Sequence, residues 1–457
     1  MFPPGDDGLS FTDVEAELLA RAPESNLEPG LEGISRLTTL LGDPQTSFPS
    51  VHVAGTNGKT STARIVDSLL SAFELRTGRY TSPHLQSVTE RIVIDGAPIS
   101  EEAFVAAYGD VAPYLGLVDD ALGRPLTFFE VLTAMAFGAF ADAPVAAAVV
   151  EVGLGGAWDA TNVVSAPVAA LLPIGLDHQD WLGDTVELIA AEKAGIIRPD
   201  QLVVMAQQDV AVAEIVMRRA ADVGATVARE GLEFGVLDRR VAVGGQLLNL
   251  RGLSGDYADL FLPLHGAHQA HNASVALAAV EAFLGGGRER LDPDVVREGL
   301  ANASSPGRLE VLRRSPTVLV DAAHNVAGAH ALAQAIGDAF DFQRLVGVVA
   351  VLADKDAAGI LAELEPVLAE VVITRSSSPR ALTPERLGEI AAQIFGADRV
   401  VVMDDLADAV DHAVAHAEGE SIVGTGVLVT GSVTVAGDAV RLLRRDPPSF
   451  DEDGYDT

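Results

Sequence analysis

The segment SVHVAGTNGKTSTARIVDSLLSAF, residues 50–73, constrains the fold more than any other part of the chain. A β-branched run leads into a turn holding Gly55 and Gly58, and a helical pattern opens at Lys59. A strand, a Gly-rich turn and a helix in that order form a cradle for phosphate. The backbone N–H groups of Gly55, Thr56, Asn57 and Gly58 point at phosphate oxygens, and the helix N-terminus favours negative charge. Lys59 reaches the β- and γ-phosphates, and the hydroxyl of Thr60 or Ser61 is free to hold Mg²⁺. The full Walker A spacing asks for glycine where Val53 stands, so the motif has the shorter form GxxGK[ST].

The same alternation continues down the chain. TFFEVLTAMAFGAFA reads as a buried helix, PVAAAVVEV and PVAALLPIG as buried strands, and TVELIAAEKAGII as a helix. Near-continuous apolar strands alternating with helices mean a mostly parallel sheet covered on both faces. RIVIDG reads as one more strand. Residues 226–264 switch to short alternating strands with Gly turns, a small antiparallel β appendage, and HQAHNASVALAAVEAFLG closes the unit as a helix. ASSPGR, 303–308, reads as a linker. Beyond it TVLVDAAHN, RLVGVVAVLAD, AEVVITRSS and SIVGTGVLVTGS are strands ending in polar loops. The predicted fold is therefore α/β: a phosphate-loop domain over 1–303 and a second, smaller Rossmann-like α/β domain over 304–445. An acidic tail, 446–457, is expected to be disordered. A length of 457 residues fits two or three domains rather than one core.

Charge and residue usage narrow the function. The formal net charge is −34, which repels nucleic-acid backbones and anionic lipid. There is no cysteine, hence no thiol nucleophile, disulfide or zinc–thiolate site. The acidic start lacks the pattern of a secretory signal, and no apolar run is long enough to span a bilayer; a cytoplasmic protein is expected. Only three of the 31 basic residues are lysines, Lys59, Lys193 and Lys355. Where arginine serves for generic charge, a retained lysine marks a task that a guanidinium cannot perform.

Glu151 ends a buried strand, where a carboxylate is paired or coordinates a cation. His178 is read at the next strand end, Lys193 lies on a helix, and Ser82 sits in YTSPHL. Taken singly, Glu151 reads equally as half of a salt bridge and His178 as a satisfied core histidine.

The ordered set HVAGTNGKTST, RYTSPHL, TFFE, EVGLGGAWDATN, DHQDWLGDTVELIAAEKAGI, HQAHN, GRLE, DAAHN, LADKD and TGSV resembles the folylpolyglutamate/dihydrofolate synthases of the Mur ligase superfamily, over residues 30–437. The family has GKGST where this chain has GKTST, and GSLY where it has GSVT with Thr434. The resemblance implies Mg²⁺ ligands at Ser82, Glu151, His178 and Thr60 or Ser61, with two magnesium sites. It implies a CO₂-carbamylated Lys193 among those ligands, and catalytic roles for Lys59, Lys193, His178 and Glu151. Nucleotide contacts fall on the 55–61 turn, Asn272, Arg308 and Asp321. The folate and glutamate would meet Arg91, Phe128, Phe129, His324, Lys355 and Ser432. Lys355 reads equally as a loop ion pair with Asp354 and Asp356.

The implied activity is ATP-dependent ligation of L-glutamate to folates, and also to dihydropteroate, through an acyl phosphate. The partners would be small-molecule substrates, with no nucleic acid and no membrane, and the expected state is a monomer. Two other readings stay open: another Mur-type amino-acid ligase, and a P-loop ATPase without ligase activity.

Overall fold

The computed structural model describes residues 9–21, 30–419 and 424–445. The expected disordered tail, 446–457, lies outside the described residues. The chain divides into two compact units: residues 1–263 with 268–304, and residues 264–267 with 305–457.

The first unit is built on eight strands. They are β1 (Ser50–Ala54), β2 (Thr77–Tyr80), β3 (Ile92–Ile94), β4 (Ala97–Pro98), β5 (Ala147–Glu151), β6 (Val168–Leu171), β7 (Leu202–Met205) and β8 (Thr226–Arg229). Their spatial order is β4-β3-β2-β5-β1-β6-β7-β8. β2, β5, β1, β6, β7 and β8 are parallel, and β1, β2 and β5 are buried along their whole length. From β1 the chain builds one side of the sheet and returns through β5 to build the other. The direction therefore switches at β1, where ligands of open α/β sheets bind.

β3 and β4 run antiparallel at the edge. RIVIDG is a strand, as expected, but it reverses direction. Asp95 and Gly96, at φ 51° and 78°, make the two-residue turn that suits a hairpin.

The helix Phe128–Asp142 supplies much of the core. Thr127 caps it: its hydroxyl accepts the Glu130 N–H at 3.1 Å, and the Glu130 carboxylate accepts the Thr127 N–H at 2.8 Å. Phe137 and Phe140 pack on Phe48. Gly78 of β2 has no room for a side chain, since a Cβ there would stand 2.7 Å from the Phe140 ring.

β9 (Gly235–Ala242), β10 (Gly245–Arg251) and β11 (Asp256–Leu262) form the separate antiparallel sheet. The helix Ala267–Gly285 follows it. Glu281 of that helix, fully buried, accepts from the Leu253 N–H and from the Tyr257 hydroxyl, the latter at 2.9 Å.

The second unit carries β12 (Glu310–Arg314), β13 (Thr317–Val320), β14 (Arg344–Val349), β15 (Glu370–Ile373), β16 (Val400–Val402) and β17 (Thr425–Thr430), in the order β12-β13-β17-β14-β15-β16. All but the β12 edge are parallel. Leu319, Val349, Ile373 and Leu428 face a core shared with Leu332, Ile360 and Leu387 of the covering helices. The fold class is thus the one expected: two α/β units, the first with a small antiparallel sheet.

Candidate active site

The turn after β1 has the shape of a phosphate cradle. Gly58 lies in the left-handed region at φ 86°, and a Cβ on it would meet the Asn272 side-chain oxygen at 2.5 Å. The helix Lys59–Ala72 begins directly after it. Thr56 ties this turn to the loop beyond β6: its hydroxyl donates to the Gly175 carbonyl at 3.0 Å, and its N–H donates to the Pro173 carbonyl. Lys59 is curled back, with Nζ donating to the carbonyls of Gly55 and Thr56 at 3.1 and 3.2 Å. A charged amine with only two carbonyl acceptors keeps donor capacity for a phosphate.

The two hydroxyls at the helix start part company. Thr60 Oγ1 donates to Glu151 Oε1 at 3.0 Å, and the Ser82 N–H faces Glu151 Oε2 at 3.4 Å. Ser61 turns into the protein, where its hydroxyl accepts from Gln269 at 3.3 Å. Thr60 is thus the hydroxyl set beside the buried carboxylate. The Thr60 hydroxyl and the Glu151 carboxylate meet as oxygen donors of the kind a hard divalent cation takes, with the Ser82 backbone against the same carboxylate.

Lys193 is 4% exposed, on the last turn of the helix Val186–Lys193. It makes no hydrogen bond to the described residues. Burial first, and then the charge of Lys59, push its pKa down to about 7, against the pull of Asp177, Asp159 and Glu192. Such a lysine presents a neutral, nucleophilic nitrogen near neutral pH. A bare amine does not suit a cation; the same nitrogen carrying CO₂ as a carbamate would.

His178 is not at a strand end. It lies beyond β6 in the left-handed conformation at φ 51°, where it opens the short helix Gln179–Leu182. Its N–H donates to Asp177 at 2.9 Å, and its side chain is 42% exposed.

The aromatic residues assemble near the ends of β2 and β5. The Arg91 guanidinium sits over the Phe128 ring at 5.1 Å and donates to His84 at 3.0 Å. Phe129 packs on Tyr80 at 5.8 Å, and it fills the space in which a Cβ on Gly153 would lie. Asn272 donates to Gln269 at 3.0 Å, so the start of the Ala267–Gly285 helix braces both Gly58 and Ser61.

Residue reading alone passes over Asp159. It is buried, and accepts the Leu154 and Thr161 N–H groups at 2.9 Å each, together with the Thr161 hydroxyl. It thereby folds the loop after Glu151 inward. Burial raises its pKa to about 6. The Thr161 hydroxyl also meets His52 at 2.9 Å, and burial takes that imidazole's pKa down to about 3. The available signal is the D-x-T spacing, in which an Asp caps the N–H two residues on.

In the second unit Asp321 follows β13. Its carboxylate accepts from the Leu309 and Ala323 N–H groups at 2.8 Å each. Burial raises its pKa, and Arg308 opposes that rise. His324 Nδ1 contacts the Ala322 carbonyl at 2.9 Å, which fixes a proton on Nδ1. Ser432 is fully buried and caps the last helix through the Val435 N–H at 3.1 Å. Beside Lys355, Asp356 caps the helix Ala357–Leu364 and Asp354 faces Arg380 at 3.7 Å.

A phosphate loop at the switch point of a parallel sheet, a carboxylate set against its threonine, and a separate Rossmann-like unit define a Mur-type ligase. Residues 53–280 match the Mur ligase middle domain, and residues 307–433 match the Mur ligase glutamate ligase domain. The chain is 53% identical to the dihydrofolate synthase/folylpolyglutamate synthase of Mycobacterium tuberculosis over 97% of this chain and 96% of that one. It superposes on the Mycobacterium tuberculosis folylpolyglutamate synthase complexed with ADP with a TM-score of 0.92, covering 96% and 99% of the two chains at 52% identity. It superposes on an Escherichia coli protein in complex with DHPP and ADP with a TM-score of 0.83, covering 97% and 100% at 31% identity. The chain belongs to the folylpolyglutamate synthase/dihydrofolate synthase family.

Proposed function

We propose that this protein joins L-glutamate to folates, and to dihydropteroate, at the expense of ATP. The single observation that carries the reading is the Thr60–Glu151 contact at the mouth of the phosphate loop, with the buried Lys193 within electrostatic reach of Lys59. The names of the relatives support it.

A carboxylate resists attack by an amine because it would have to expel oxide. Transfer of the γ-phosphoryl group of ATP to that carboxylate gives ADP and an acyl phosphate. The glutamate nitrogen then attacks the carbonyl carbon, phosphate leaves, and the nitrogen gives up a proton. Lys59 leaves its carbonyl acceptors for the phosphates and offsets the charge gathered there. The turn from Gly55 to Gly58 positions the nucleotide with backbone N–H groups. Thr60, or Ser61, with Ser82, Glu151, His178 and a carbamylated Lys193 would hold Mg²⁺ at two sites, and this metal supplies charge neutralisation between phosphate and carboxylate. Arg91, Phe128 and Phe129 suit a flat heteroaromatic ring. In the second unit, Arg308 and Asp321 serve the nucleotide, and His324, Lys355 and Ser432 serve the glutamate. Residues 1–303 thus act as the ATP-binding domain and 304–445 as the glutamate-ligase domain, in a monomer. No helix among the described residues is long and apolar enough to cross a membrane, in keeping with a cytoplasmic site of action.

The test is ADP release and product mass measured with dihydropteroate and tetrahydrofolate side by side, each with and without glutamate. Ligation with either acceptor supports the proposal. ATP turnover that ignores both acceptor and glutamate would return the protein to the ATPase reading. Activity confined to another carboxylate would make it a different Mur-type ligase.

A further inference from the structure

On the second unit, far along the chain from the phosphate loop, His412 and His416 stand one turn apart on the helix Leu406–Gly419, so their rings project from the same face. The rings lie side by side with centroids 6.1 Å apart. Glu370, the first residue of β15, turns its Oε1 to His416 Nδ1 at 3.2 Å. One donor atom from each of these three side chains lies within 4.8 Å of the other two. Arg344, at the start of β14, donates to the other carboxylate oxygen, Oε2, at 3.0 Å, and so holds the carboxyl plane with Oε1 toward the imidazoles. Arg344 Nη2 also stands 3.5 Å from His416 Nε2. His412 is half-buried and has no hydrogen-bond partner among the described residues.

We infer that Glu370, His412 and His416 form a binding site for a divalent transition metal of the zinc class, separate from the magnesium-type oxygen cluster of the first unit. Two imidazoles one helical turn apart with a carboxylate from a neighbouring strand make a three-ligand N₂O set of the kind zinc accepts, leaving one position to water. Metal–donor bonds of about 2.0–2.2 Å place two tetrahedral ligands roughly 3.4 Å apart. A small rotation of two side chains inward from the present spacing closes the site. The donors are nitrogen-rich and of intermediate softness, which disfavours magnesium. Arg344 is the competing feature: its charge opposes a cation, and its bond to Oε2 orients the carboxylate in the way outer-sphere partners orient metal ligands. A bound ion would clip the Leu406–Gly419 helix to the starts of β14 and β15, at the end of the sheet opposite the carboxyl ends of its strands.

The experiment uses the full-length protein, stripped with chelator and kept in excess Mg²⁺ to suppress binding to the acidic surface and to the phosphate-loop cluster. It is titrated with Co²⁺, whose visible absorption reports nitrogen and oxygen ligation. The expected result is one Co²⁺ equivalent with an absorption band that Zn²⁺ displaces. This equivalent is lost in His412→Ala and in Glu370→Gln and is retained in Glu151→Gln. Zn²⁺ should raise the melting temperature of the parent protein and leave that of His412→Ala unchanged. His412 makes no hydrogen bond to the described residues, so that variant is expected to fold even where His416→Ala does not. A Co²⁺ equivalent that persists in His412→Ala, that vanishes in Glu151→Gln, or that never forms under excess Mg²⁺ would overturn the inference, leaving the cluster as an Arg344-centred ion-pair network.

Discussion

Thr60, in the first turn of its helix, donates its hydroxyl to Glu151, the last residue of β5, at 3.0 Å. Ser61, the next residue, points the other way and is engaged by Gln269. Two adjacent hydroxyls therefore have separable roles. Thr60→Val should lower kcat/KM by about 10²-fold or more, the scale of losing one preorganised polar group at a transition state. Ser61→Ala should leave turnover within a few-fold and cost about 1 kcal/mol of stability. Steady-state kinetics with thermal unfolding on both variants decides the matter, and equal kinetic loss would reassign the ligand.

Lys193→Ala should abolish ligation, and Lys193→Arg should not restore it, because a guanidinium presents no neutral nitrogen to CO₂. A short carboxylate such as formate, added at high concentration, should return part of the activity of Lys193→Ala by supplying the missing oxygens. Mass spectrometry of the parent protein under CO₂ gives an independent readout. Normal turnover in Lys193→Ala would remove this residue from the chemistry.

Gly58 bears two constraints, its left-handed φ of 86° and its contact with Asn272. Gly58→Ala should cost about 1–2 kcal/mol for the backbone alone, with a further loss from the clash, and should weaken nucleotide binding. Adding Asn272→Ala removes the clash and leaves the backbone cost. Stability of the double variant should therefore fall between the parent and Gly58→Ala. A double variant no more stable than Gly58→Ala would show that the clash contributes nothing.

The His52–Thr161–Asp159 chain predicts an unusual pH profile of stability. His52 has its folded pKa depressed to about 3. Its contribution is complete above its unfolded pKa of about 6.5 and is lost as pH falls toward 3. Asp159 has its folded pKa raised to about 6. Its contribution is complete below its unfolded pKa of about 3.9 and is lost as pH rises through 6. Between pH 4 and 6 the two slopes, each at most about 1.4 kcal/mol per pH unit, oppose each other. Denaturant unfolding should find His52→Asn losing stability with rising pH across this window, and Asp159→Asn gaining it. Parallel profiles for the two variants would show that these groups do not govern the pH response.

Much of the architecture is legible in the residues themselves. Apolar runs such as PVAAAVVEV and PVAALLPIG read as strands buried on both faces. The segment read from residue 226 as an antiparallel appendage becomes one only from Gly235, because Thr226–Arg229 joins the main sheet as the parallel strand β8. What escapes is set by tertiary placement. Which of Thr60 and Ser61 meets a carboxylate depends on where β5 ends beside the loop, which no local pattern records. His178 is expected at a strand end, but β6 stops at Leu171, just before Pro173, which has no N–H to continue the ladder, so the histidine is carried out on the following loop. Asp159 lies in a stretch that reads as an ordinary polar turn. Its burial follows from the loop folding back to meet Thr161 and His52. The hairpin from β3 into β4 is written in the Asp95–Gly96 pair, whereas the reversal of β3 against β2 is set by the connection between residues 81 and 91, which no turn signal marks.

The helix Ala267–Gly285 touches two distant parts of its unit. Near its start, Asn272 leans on Gly58 and Gln269 grips Ser61; three turns later, Glu281 anchors the three-stranded appendage through Leu253 and Tyr257. A stiff rod of this kind makes the appendage a lever on the nucleotide turn. Loosening Tyr257 or Leu253 is expected to free the helix whose Asn272 and Gln269 lie against Gly58 and Ser61. A peripheral sheet with no catalytic group of its own thus acquires a hold on how tightly ATP is grasped.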